Sequence, residues 1–168
     1  VLLLSGAQAQ QKELVDYVNP YIGNISHLLV PTFATIQLPN SLMRVYPARN
    51  DYTTELVNGL PVVVTNHRER SAFSFSPTQD ANLKSVMPVN WDNEVVTPYS
   101  MDIEMADNTM RAQLAVSRLS AIYDITFYES DKDAYIIITS GKGELVVENG
   151  AVKGYQDIWG SANMFICA

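Results

Sequence analysis

Cysteine, histidine and basic side chains are what this 168-residue chain has least of, and each scarcity removes a class of function. The single cysteine, Cys167, has no partner for an internal disulfide, so an exported fold of this size must rely on its apolar core. Eleven Lys and Arg face eighteen Asp and Glu, for a net charge of −7. Neutralising a phosphate backbone requires clustered cations, so nucleic acid is excluded as a partner. His27 and His67 stand far apart, with no carboxylate at i+4 and no HExxH or Cys-His grouping, so neither has metal-ligand spacing. No GxSxG, P-loop or GxGxxG occurs, and Gly141-Lys142-Gly143 reads as a hairpin turn. Asp131-Lys132-Asp133 and Asp92-Asn93-Glu94 lack the Gly and distal Glu of a calcium loop and read as solvated turns. No apolar run approaches the ~20 residues that cross a bilayer, so no membrane span is expected.

What is present begins with the apolar run Val1 to Gly6, followed by small residues at Ala7 and Ala9. This is the pattern of the end of a secretory signal peptide, with cleavage expected after Ala9. Residues 1–9 are therefore read as a signal-peptide remnant, and the rest as part of an exported, periplasmic or secreted protein. No Cys follows the cleavage pattern, which argues against a lipid anchor. The chain is long enough, and at 47% hydrophobic apolar enough, to bury one core of ordinary size.

The periodicity is that of strands. Met101 to Met105 alternates apolar with acidic residues, and Ala112, Leu114 and Val116 share one face. Tyr123, Ile125 and Phe127 oppose Asp124 and Thr126, while Ala134 to Thr139 is a continuous apolar run suited to burial on both faces. Asn149-Gly150 predicts a type I′ hairpin, Asp107-Asn108 a similar turn, and Asn58-Gly59 a turn before Leu60 to Val64. With no long amphipathic helix between such turns, the expected fold is all-β, an antiparallel β-sandwich. It is expected to be incomplete at the C-terminus, where Ser161 to Ala168 reads as a strand whose pairing partner is missing. Trp91, Tyr99 and Trp159 are expected in the core.

One region is too rich in Pro, His and Tyr to be mere connection: Val18-Asn19-Pro20-Tyr21-Ile22-Gly23, then Ser26-His27-Leu28 with Pro31, then Pro39 to Met43. It resembles the opening of the family 92 glycoside hydrolases, α-mannosidases whose N-terminal domain begins VNPxIG and continues through a GHT-like loop to a PFGM-like strand. The resemblance continues, in order, through Asn58-Gly59-Leu60 with Asn66-His67, Thr97 to Met101, Arg111 to Val116, Arg118 to Phe127 and Val152-Lys153-Gly154-Tyr155. The chain departs from it at Ser26, Leu28, Asn40-Ser41-Leu42 and Arg68-Glu69-Arg70.

The resemblance implies a two-domain enzyme. Residues 10–168 would belong to an N-terminal β-sandwich packed against a helical (α/α)6 domain beyond residue 168. The helical domain would hold the paired carboxylates for calcium-assisted, inverting hydrolysis of α-mannosides, and sandwich loops would lend His27, Leu28, His67 and Arg68 to the sugar pocket. Calcium is then expected in the full-length enzyme, with none in this fragment, and the partners are a glycan bearing α-linked mannose and the protein's own helical domain. An inverting pair stands ~6.5–9.5 Å apart across a water. The acidic residues here fall in turns or on polar strand faces, so the fragment is expected to be inactive alone. The alternative is a stand-alone carbohydrate-binding or surface-interaction sandwich that binds glycan through exposed aromatics.

Overall fold

The computed structural model describes residues 12–22, 34–49, 54–65 and 71–168, excluding the side chain of Trp91. Its elements are a single 3-10 turn, Leu14–Tyr17, and thirteen strands: β1 Ile36–Gln37, β2 Arg44–Val45, β3 Leu56–Val57, β4 Leu60–Val64, β5 Ser71–Thr78, β6 Met87–Val96, β7 Ser100–Met105, β8 Met110–Val116, β9 Ala121–Phe127, β10 Tyr135–Thr139, β11 Gly143–Glu148, β12 Ala151–Ile158 and β13 Ala162–Cys167. Every strand pair is antiparallel. The strands form a five-stranded sheet, β3-β6-β7-β8-β9, two three-stranded sheets, β10-β5-β4 and β11-β12-β13, and the ribbon β1-β2.

Alternation in the sequence becomes two-sidedness in space. Met101, Ile103 and Met105 of β7 and Met110, Ala112 and Leu114 of β8 are buried, while Asp102, Glu104, Arg111 and Gln113 face outward. β9 continues the pattern, with Tyr123, Ile125 and Phe127 turned toward the core. That inward face meets Leu60, Val63, Ala72 and Phe73 of β4 and β5 in one cluster, which also takes in Ile36 and Val45. Tyr123 ties the two layers together: its ring stacks on Phe75 with centroids 4.6 Å apart and its hydroxyl donates to the Pro61 carbonyl at 3.2 Å. The β11-β12-β13 sheet closes one end, laying Leu145, Ile158, Met164 and Ile166 on the same core.

The hairpin at Asn149-Gly150 forms as expected: Glu148 pairs with Ala151, and the two turn residues have φ of 53° and 78°. Other turns differ from expectation. Asp107-Asn108 lies in a four-residue loop between Met105 and Met110, with Ala106, Asp107 and Asn108 all at positive φ. Gly141-Lys142-Gly143 is not a hairpin, because β10 pairs with β5 and β11 with β12; the turn carries the chain from one sheet to another. Asn58-Gly59 does the same between β3 and β4. Gly59 sits at φ 124°, and a Cβ there would fall on the hydroxyls of Ser74 and Ser76.

Three further expectations are corrected. The run from Ala134 to Thr139 is not buried on both faces: β10 is an edge strand pairing only with β5, and Tyr135 and Ile136 are exposed. Asp92, Asn93 and Glu94 are not a turn but part of β6, at an irregularity where the register with β7 shifts between Asn90 and Val95. The last segment does have a partner: β13 pairs with β12 in six registered positions, and Val152 exchanges backbone hydrogen bonds with Ala168 at 2.7 and 2.8 Å.

Gln156 of β12 joins the sheets. Its Oε1 accepts from the backbone N–H of Phe73 at 2.9 Å and of Gly141 at 3.0 Å, while its Nε2 donates to the Ser71 carbonyl at 3.0 Å. Phe73 has φ 59°, a left-handed conformation that a bulky side chain rarely adopts, and Val62↔Phe73 is missing from the β4–β5 ladder. The buried side chain of Gln156 supplies what the ladder does not. Gln156→Leu is expected to leave these three backbone groups unsatisfied at about 1–3 kcal/mol each, for a total loss of at least ~3 kcal/mol. Urea denaturation checks it.

Candidate functional site

All four sugar-binding residues expected from the sequence lie outside the described residues: His27 and Leu28 within 23–33, His67 and Arg68 within 66–70. Chain order places residues 66–70 in the connection from β4 to β5, whose ends are set by the pair Val64↔Ser71. Residues 23–33 lead into β1 from the turn at Asn19 to Ile22. What the structure describes is the frame from which these connections spring.

That turn is built by its own side chains. The Asn19 carboxamide oxygen accepts from the Tyr21 N–H at 2.9 Å, and the Ile22 N–H donates to the Asn19 carbonyl at 3.3 Å, with Pro20 presetting the bend. The Tyr21 hydroxyl then reaches the carbonyl of Glu94 at 3.3 Å, fastening the turn to the irregular stretch of β6. Burial raises the Tyr21 phenol above its ordinary range, and the nearby Glu94 carboxylate adds to the rise. Burial likewise raises the Glu94 carboxyl, and the positive charge of Arg49 opposes that rise. Tyr21, Arg49 and Glu94 therefore form a half-buried polar group beside the segment that resembles VNPxIG. The sequence signal for Glu94 is a break in phase: alternation along β6 runs through Trp91-Asp92 and lapses at Asn93-Glu94, before Val95-Val96.

Two carboxylates away from this group are held in the ionised form by cations. Arg111 binds Asp102 through two hydrogen bonds, Gln113 adds a third at 3.0 Å, and together they hold the Asp102 carboxyl below its ordinary range. Lys142 does the same to Asp157. Both shifts run opposite to what a general acid needs. An open depression of about 420 Å³ gathers Glu55, Asp92 and Asp107 with Asn90 and Asn108. Among the described residues no three His, Cys, Asp or Glu side chains stand close enough to hold a metal ion. Among the described residues no helix is long and apolar enough to cross a membrane. Tyr99 and Trp159, expected in the core, are instead exposed, because each sits at a strand end rather than on an inward face.

An all-antiparallel set of sheets around one apolar core defines an all-β sandwich domain. The family model described as Glycosyl hydrolase family 92 N-terminal domain matches residues 17–168. The chain belongs to that family, as its N-terminal domain. No curated protein matches the sequence. Among solved structures, an inverting mannosidase of family 92 from Bacteroides thetaiotaomicron superposes with a TM-score of 0.72 at 20% identity, covering 88% of this chain and 23% of that one. A family 92 α-mannosidase from the same organism gives 0.71 at 20% identity, covering 88% and 24%. The chain thus spans about a quarter of the length of these structures.

Because burial lifts the Glu94 carboxyl above 4.5, the folded state holds that proton more tightly than the unfolded chain. Stability then falls as pH rises from the ordinary carboxylate range through the folded pKa, and the loss persists above it. Glu94→Gln is expected to raise the thermal midpoint at neutral pH, and that gain should shrink as pH falls through the raised pKa and be gone by about pH 4.5. Melting curves of both proteins across this range check the sign.

Proposed function

We propose that this chain is the non-catalytic N-terminal domain of an exported glycoside hydrolase acting on α-mannosides. The match to the family's N-terminal domain over residues 17–168 is the observation that carries this reading. A helical (α/α)6 domain beyond residue 168 supplies the two carboxyl groups, one protonating the leaving oxygen and one activating water. Calcium assists there, in the full-length enzyme. The sandwich supports that domain and lends His27, Leu28, His67 and Arg68 to the sugar pocket. The turn fastened by Tyr21 sets where residues 23–33 depart, which supports a role for that connection. Residues 1–9 direct export and are removed.

A second reading, a stand-alone sandwich that binds glycan without hydrolysis, draws support from the exposed rings of Tyr99 and Trp159. An aryl α-mannoside release assay separates the two. Residues 1–168 alone are expected to be silent with or without calcium, and the full-length protein active. His27→Ala in the full-length protein is expected to lower turnover about tenfold or more, the effect of losing roughly 1.4 kcal/mol of transition-state contact, with little change in melting. Activity in the fragment overturns the domain assignment. Silence of the full-length protein across α-linked glycans favours the binding module.

A further inference from the structure

The two outermost sheet faces of this domain differ in kind. On the five-stranded sheet the outward positions include Asp102, Glu104, Arg111, Gln113, Asp124 and Thr126, crossed by the Arg111–Asp102 pair, with exposed Val95 and Ile122 and no aromatic ring among them. On the β11-β12-β13 sheet, Tyr155 stands opposite Phe165, and Val146, Lys153 and Cys167 form the neighbouring row. Phe165 is 76% exposed, Val146 47% and Tyr155 37%. These side chains contribute nothing to the core, which the same strands serve from their other face with Leu145, Ile158, Met164 and Ile166. A contiguous apolar patch of this kind marks a surface that another surface covers.

Charge on this face is mostly paired within it, Glu144 opposite Tyr155 being the exception. Lys142 pairs with Asp157 at 2.6 Å and Lys153 with Glu148 at 3.0 Å, so covering it strands few uncompensated ions. The aromatic rings argue against a sugar as the occupant: Tyr155 and Phe165 lie 6.3 Å apart but tilted by 46°, which offers no flat platform for a pyranose. The match to solved relatives leaves about three quarters of their length outside the alignment. In this chain residue 168 lies at the end of β13, beside Phe165 and Cys167 on the rim of the patch.

We infer that the outward face of the β11-β12-β13 sheet is the seat of the polypeptide that follows residue 168 in the full-length protein. This rests on the reading of the chain as one domain of a longer enzyme, and adds which face the remainder covers. Phe165 and Tyr155 are the anchors, and Cys167 lies within the covered area.

Cys167 is exposed in residues 1–168 and serves as the probe. Maleimide labelling, followed by peptide mapping to isolate the Cys167 peptide, is expected to be at least tenfold slower in the native full-length protein than in residues 1–168. Phe165→Asp is expected to lower the melting midpoint of the full-length protein, whereas Ile122→Asp, on the outward face of the five-stranded sheet and 75% exposed, leaves it unchanged. Equal labelling of Cys167 in both proteins overturns the inference. So does a fragment that dimerises in light scattering through Phe165 while Cys167 of the full-length protein still labels fast. Binding of mannan that is lost in Phe165→Ala, with fast labelling in the full-length protein, overturns it in favour of a glycan. A protected Cys167 in a full-length protein that hydrolyses no α-mannoside supports the covered face while removing the enzymatic reading.

Discussion

The carboxamide of Gln156 is the point on which the arrangement of sheets depends. The third residue of β5, Phe73, has a backbone that twists out of the ladder, and the N–H released by that twist must find an acceptor inside the protein. Gln156 meets the need from a different sheet, and with its second group holds the Ser71 carbonyl. The same oxygen takes the N–H of Gly141, where the chain crosses between sheets. One side chain thus fixes the start of β5, the entry to β11 and the position of β12 relative to both. An apolar residue of equal volume would fill the space but satisfy none of these groups, and only a side chain with both donor and acceptor meets the whole demand.

How much of this was legible in the sequence varied with how local the cause was. Strands β7, β8 and β9 follow from period-two alternation, and their burial matches it residue by residue, because the five-stranded sheet has one wet face and one dry one. The Asn149-Gly150 hairpin was equally plain, since its geometry is set by two residues. Pairing between distant strands was not legible. Nothing in Gly141-Lys142-Gly143 distinguishes a hairpin from a passage between sheets; that depends on which strands β10 and β11 find as partners. The apolar run of β10 suggested burial, yet its edge position leaves Tyr135 and Ile136 open.

The candidate site divides in the same way. Tyr21 was visible within a motif, and Pro20 and Asn19 explain its turn by local chemistry. Its partner Glu94 lies 73 positions away and looked like one of several surface acids. Only the lapse of alternation in β6 hinted that these residues leave the ladder, and only the fold brings Arg49 and Tyr21 to them. The family match extends through both halves of this contact, from residue 17 onward.

The passages between sheets at Gly59 and Gly141 have a kinetic consequence. The run β6 to β9 is a meander of neighbours, closed entirely by residues 87–127, and such pairing requires only short loops to close. The opposite layer is completed later: β5 has its neighbour β4 at once but must wait for β10, and Phe73 must wait for Gln156, 83 positions later. A chain emerging from its N-terminus therefore presents a completed meander while the layer opposite it still lacks β10 and the β11-β12-β13 sheet. During that interval only the β4-β5 pair is available to cover Met101, Ile103 and Leu114, and the incomplete layer makes this stage the one at which a chaperone has most to protect.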